Sequence, residues 1–344
     1  MKSRDLALAG LLGAACLVGL FFLLAGSGSL PDGAPGNGLT VAALEMGLGP
    51  EGEAIFARAV EGEFGTWSQP RLPGNLSLAL GVADDEELAR GRRTWRIKCL
   101  QCHGPTGAAD GPTAGMLVPF PRSFHEGVMK FTTTRAGTPP LREDLARVIR
   151  QGVPFTSMAS FGGLPDSAVE ELVSLSAYIL VRGPVERRAA EALAGNPFGP
   201  EQAQTRIQEA AAHVADGWTQ AREAVVNPLP PFPEKTAKSV ARGRELFLSK
   251  RVDCAGCHGR NGAGKGPRVW DPESGAYLLR DLWGKEVRPR DLRAGQFHGG
   301  GKPQDLFLRI DQGIKGTPMN GFHEVLSPEE VWDLVHFIQA LAQP

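Results

Sequence analysis

Cysteine is scarce in this chain of 344 residues: there are five, and four of them stand in two short motifs, Cys99-Leu100-Gln101-Cys102-His103 and Cys254-Ala255-Gly256-Cys257-His258. The fifth, Cys16, lies in an apolar stretch, so no pair remains for a structural disulfide. An excess of charge is missing too. Lys plus Arg number 37 against 38 Asp plus Glu, which removes the electrostatic ground for nucleic acid as a partner. No alternating β-branched run precedes either motif, so the βαβ setting of a thioredoxin-like dithiol is absent. The two cysteine pairs lie much further apart than the ~12 to 20 residues usual between zinc ligand pairs.

What the motifs do fit is c-type haem. In C-x-x-C-H two thiols add across the vinyl groups of one haem, and the adjacent histidine turns back onto its iron. Two copies call for two covalent haems, held by Cys99, Cys102 and His103 and by Cys254, Cys257 and His258. A chain of this length accommodates two domains of about 100 to 150 residues each.

At the start, Lys2 and Arg4 precede twenty residues, Leu6 to Ala25, drawn only from Leu, Ala, Gly, Val, Phe and Cys. As a helix such a run covers the ~30 Å hydrocarbon core, and the basic flank predicts that everything after it is exported, to the periplasmic side of a bacterial inner membrane. A cleaved signal peptide, with small residues at Ala25-Gly26-Ser27, is the competing reading. The run exceeds the usual ~7 to 15 apolar residues of a signal core, which favours an uncleaved anchor over residues 1–26. A lipidated Cys16 is a third, with a poor lipoprotein box. Residues 27–83, rich in Gly and Pro, form either a tether or a segment docked on a haem domain or a partner.

The chain contains its own comparison, because the two motifs open a long internal repeat. Before them, Gly91 and Gly243 are each followed four residues later by an aromatic, Trp95 and Phe247, suggesting a close helix crossing. After them come Gly111-Pro112 and Gly266-Pro267, then Pro121-Arg122 and Pro289-Arg290, the second copy having a 13-residue insertion between Arg268 and Arg288. The copies rejoin at Asp144-Leu145 and Asp305-Leu306, and Met158 and Met319 each follow a Gln-Gly pair, six residues after its glycine. Of six methionines only these two are equivalent, which marks them as the second iron ligands. Thioether ligation opposite histidine closes the iron and favours electron transfer over substrate binding. Apolar stripes, Leu172 to Ile179 and Val331 to Leu341, close each half as helices.

With these residues in place, both halves resemble class I cytochrome c, over about 84–183 and 236–344. The resemblance implies a mainly α fold of two tandem cytochrome c domains; composition adds a connector between them, 184–235, helical and then Pro-rich, and the apolar run a single transmembrane helix before them. The resemblance also implies that a proline carbonyl accepts a hydrogen bond from each haem histidine, with Pro112 and Pro267 as candidates. Arg122 and Arg290 either meet haem propionates or stand exposed beside their prolines. The remaining histidines, His125, His213, His298, His323 and His336, do not align and are read as surface or packing residues, with His298 also a candidate for a propionate. Arg90, Arg92, Arg93, Arg96 and Lys98 form either a docking face for an acidic partner or a solvated helix face. The function that follows is relay of single electrons between a membrane respiratory donor and an acceptor. The alternatives are a dihaem peroxidase and an electron-transfer subunit of a larger respiratory complex.

Overall fold

Asp84 opens the first half of the repeat by accepting a hydrogen bond from Glu87 N at 2.7 Å, and Asp85, Glu86 and Glu87 set carboxylates against the positive end of the helix they begin. This computed structural model describes residues 38–226 and 231–342. Its helices are α1 (Val41–Leu44), α2 (Gly49–Phe64), α3 (Gly74–Leu80), α4 (Asp85–Lys98), α5 (Leu100–His103), α6 (Arg142–Gln151), α7 (Asp166–Leu193), α8 (Pro200–Gln220), α9 (Ala237–Leu248), α10 (Cys254–His258), α11 (Pro303–Asp311) and α12 (Pro328–Leu341). One antiparallel hairpin, β1 (Trp270–Asp271) with β2 (Ala276–Tyr277), lies in the insertion of the second copy.

The repeat is visible as two equivalent helix crossings. In the first domain α4 meets α7 so closely at Gly91 that a Cβ there would lie 2.2 Å from Glu171 O. In the second, α9 meets α12 at Gly243, where a Cβ would lie 2.0 Å from Asp333 O. An ion pair flanks each crossing, Arg90 to Glu171 at 2.7 Å and Arg242 to Asp333 at 2.6 Å. Behind the crossings the apolar stripes are buried, Leu172, Leu175, Tyr178 and Ile179 in one core and Val331, Leu334, Phe337 and Ile338 in the other.

Helix α7 does not end with the first domain. It runs through Pro184, which removes one intrahelical hydrogen bond and would end many helices. Tertiary packing overrides that cost. Arg182 and Glu186, buried on either side of the proline, pair at 2.7 Å, Glu186 accepts from Thr40 N at 2.6 Å, and Gly183 admits the His125 backbone. Residues 38–80 wrap the same helix, with Leu39, Phe56, Phe64, Trp67 and Leu76 buried beside it and Tyr178 donating to Phe64 O at 3.1 Å. Helix α8 packs along α7, α2 and α3.

The expected architecture requires one correction. Among the described residues no helix is long and apolar enough to cross a membrane. The longest, α7, carries Glu170, Glu171, Arg182, Glu186 and Arg187. The stretch expected to span, residues 6–25, lies outside the described residues, as does Cys16, and the exported location was read from the same stretch.

The two repeated halves belong to one compact unit, Ala34–Pro344, and meet directly. Arg309 donates to Thr132 O at 2.7 Å and Lys130 O at 3.3 Å, and Lys315 donates to Thr134 Oγ1 at 2.7 Å and Thr138 O at 2.6 Å. The insertion adds Trp283, whose indole N–H donates to Ser123 O at 2.9 Å.

Candidate functional site

Each C-x-x-C-H motif forms a single helical turn, in which His103 N donates to Cys99 O at 2.9 Å and Gly259 N to Ala255 O at 2.9 Å. The four cysteines are unpaired and half-buried. Burial pushes the thiols of Cys99 and Cys254 up to about 12, with Cys102 and Asp253 respectively adding repulsion, so neither is poised as a thiolate for redox exchange.

The motif histidines are neutral. Burial pulls His103 down to about 4 and lowers His258 as well. His258 Nδ1 lies 3.3 Å from Arg290 O, which fixes Nδ1 as the donor and leaves Nε2 with a free lone pair. His103 Nδ1 is buried with no hydrogen-bond partner. The carbonyls of Pro112 and Pro267 are therefore at neither ring. The glycines before them instead press behind the motifs, where a Cβ at Gly111 would lie 2.4 Å from Gln101 O and one at Gly266 2.2 Å from Gly256 O.

The loops bearing the two methionines are built identically. Val153 N donates to Met158 O at 3.0 Å and Ile314 N to Met319 O at 2.9 Å. Thr156 Oγ1 donates to Val153 O at 2.8 Å while accepting from Met158 N at 3.1 Å, and Thr317 Oγ1 donates to Ile314 O at 2.7 Å while accepting from Met319 N at 3.2 Å. Gly152 and Gly313 enter these turns at φ 69° and 72°, and a Cβ on either would lie 2.4 Å from the methionine carbonyl. Met116, by contrast, is exposed. The two threonines repeat in the sequence two residues before each methionine and could have been found there.

Both motifs, both histidines and both methionines line one cavity of about 1130 Å³, walled by apolar side chains such as Phe124, Ile149, Phe161, Leu306, Ile310 and Phe322. Paired thiols, a buried neutral histidine and a thioether loop in each half, with His103 Nδ1 left unpartnered in the first, are the donor set that a covalently bound haem needs. The residues fit two such groups, both on the shared cavity.

The arginines part company. Arg290 Nη1 lies 2.8 Å from His298 Nε2, and since a guanidinium only donates, His298 accepts there as a neutral ring. Burial together with the Arg290 and Lys130 cations pulls His298 down to about 4. Arg122 pairs at 2.9 Å with Asp281 of the insertion, a residue that sequence reasoning passed over because no repeat partner marks it. The basic group on α4 also divides: Arg90 is tied to Glu171, and Arg92 is buried and donates to Pro105 O at 3.2 Å. His125 and His336 are buried packing residues, bonded to Thr106 O at 2.9 Å and Ser239 Oγ at 2.8 Å.

Comparison with known proteins falls along the same division. Residues 240–342 match the cytochrome c family, and residues 86–179 match the family of cytochrome c oxidase, cbb3-type, subunit III. No curated protein matches the chain. Among solved structures it is similar to a chain of a reducing HAO-like protein complex from Kuenenia stuttgartiensis, with a TM-score of 0.55 and 27% identity, over 74% of this chain and 96% of that one.

Proposed function

From the premise that this is a protein of two cytochrome c domains, whose haem c supports electron transfer, we propose a two-haem relay in which each iron is closed by histidine and methionine. The ligands are His103 with Met158 and His258 with Met319. A haem so held supplies one reversible electron and no open iron position. The chain's part is to attach it through Cys99 and Cys102 or Cys254 and Cys257, to orient the histidine ring, and to keep water from the apolar cavity.

The observation that carries this reading is the pair of identically hydrogen-bonded methionine loops facing a cavity common to both motifs. Unfolded protein should retain two haems, with C102A and C257A each abolishing correct double attachment at one site only. Oxidised protein should show a methionine-to-iron absorption band from two sites. Rapid turnover of hydrogen peroxide by half-reduced protein, with a high-spin iron, would replace the relay by a peroxidase.

The partner is a redox protein or complex subunit, and the covered length of the similar chain supports the second. That chain belongs to a protein complex, and 96% of it is spanned here. A monodisperse, solitary protein after gentle purification from its source would count against the complex.

A further inference from the structure

Arg122 and Arg290 are equivalent in the repeat, yet they face opposite company in the same cavity. Arg290 meets the neutral His298, and no carboxylate pairs with it among the described residues. Arg122 meets Asp281, which comes from the other domain and whose side chain is only 1% exposed. The carboxylate is held on all sides. Asp281 Oδ1 accepts from Trp283 N at 3.1 Å and Lys285 N at 2.9 Å, while Oδ2 takes Arg122 at 2.9 Å and Lys130 Nζ at 3.3 Å. The Trp283 ring lies against both cations, 5.6 Å from Arg122 Cζ and 5.1 Å from Lys130 Nζ, and is itself fixed by its bond to Ser123 O.

A reduced haem carries one more electron than an oxidised one, so a nearby cation favours reduction and a nearby anion opposes it. Burial keeps solvent from screening either. Asp281, Arg122 and Lys130 all line the cavity shared by both sites, and the two cations belong to the first-domain stretch that runs from His103 to Met158. Without Asp281 the first domain would present two unopposed cations to that cavity.

We propose that Asp281 is a positioning residue for electron transfer: a carboxylate lent by the second domain that holds the Arg122 and Lys130 cations and lowers the reduction potential of the haem in the first. The insertion of the second copy thereby serves the redox chemistry of its neighbour, and the pairing of the domains becomes a determinant of potential. This rests on the relay reading above.

The test is a spectroelectrochemical titration of the full two-haem protein at pH 6, each midpoint being assigned with C102A and C257A. D281N keeps the shape and removes the charge. It should raise the equilibrium constant for reduction of the first-domain haem about tenfold, equivalent to about 59 mV for one electron, and shift the second less. D281E should restore the wild-type midpoint. K130Q should move the same midpoint down, since burial brings Lys130 to about 8 and it is charged at pH 6. W283F, which loosens the clasp without changing charge, should shift that midpoint less than D281N.

An unmoved first-domain midpoint in D281N overturns the proposal, as does an equal shift of both haems or an equal effect of W283F. If D281N does not mature, K130Q decides, and a midpoint that fails to fall overturns it equally. Failure of the relay itself would be seen earlier, as wild-type protein lacking two reversible one-electron couples.

Discussion

In the proposed relay Met158 and Met319 each supply one ligand position. M158A and M319A should each remove one share of the methionine-to-iron band and lower the potential of one haem, the other being undisturbed; loss of the whole band from either variant would contradict independent sites. Lys315 is the residue whose titration the domain contact controls. Burial, with Asp144 opposing and Arg309 reinforcing, brings its ammonium down from 10.5 to about 7. Between pH 7 and 10.5 the unfolded chain therefore holds a proton that the folded chain has released, and stability should climb with pH through that window. Urea midpoints at pH 7 and pH 9 should show this rise, and K315M should flatten it. At this scale the placing of both motifs and both methionines on one cavity agrees with their equivalence in the sequence, because local spacing is what the repeat prints twice. The pairing of Arg122 was not legible there, because its partner Asp281 lies far along the chain with no repeat partner to mark it.

Helix crossings carry the next level. Gly91→Ala and Gly243→Ala gain helix propensity of at most about 1 kcal/mol, yet each sets a methyl within 2.2 Å or 2.0 Å of a facing carbonyl. A backbone oxygen cannot rotate away, so overpacking of about 1 to 3 kcal/mol wins. Each variant should melt its own haem domain at lower temperature, followed at the haem absorbance, and a melt unchanged in both would deny the close crossing. These glycines were legible from their repeated distance to an aromatic. The length of α7 was not. The sequence places a domain boundary at 183, whereas the buried Arg182–Glu186 pair and the helices wrapped around it carry one helix through Pro184 to Leu193. Nor did the composition of residues 38–80 disclose their fold, since small residues and glycines suit a tether as well as a close-packed sheath.

For the whole molecule, the domain contact is polar and concentrated in Trp283, Asp281, Arg309 and Lys315. W283A removes an aromatic hydrogen-bonded across the contact, and small-angle scattering should report a larger radius of gyration if that contact holds the domains together; an unchanged radius would assign the work to Arg309 and Lys315. By itself the sequence determined the covalent haem chemistry, the existence of two homologous halves, the equivalence of the methionines and the position of the insertion. Those follow from bonds and spacings within one stretch of chain. The tertiary structure alone decided that both motifs open on one cavity, that Arg290 rather than Pro267 supplies the carbonyl facing His258, and that the insertion of one half closes against the other. Such choices depend on which distant groups are brought into a low-dielectric contact, where a charge must find a partner, and no local pattern encodes that meeting.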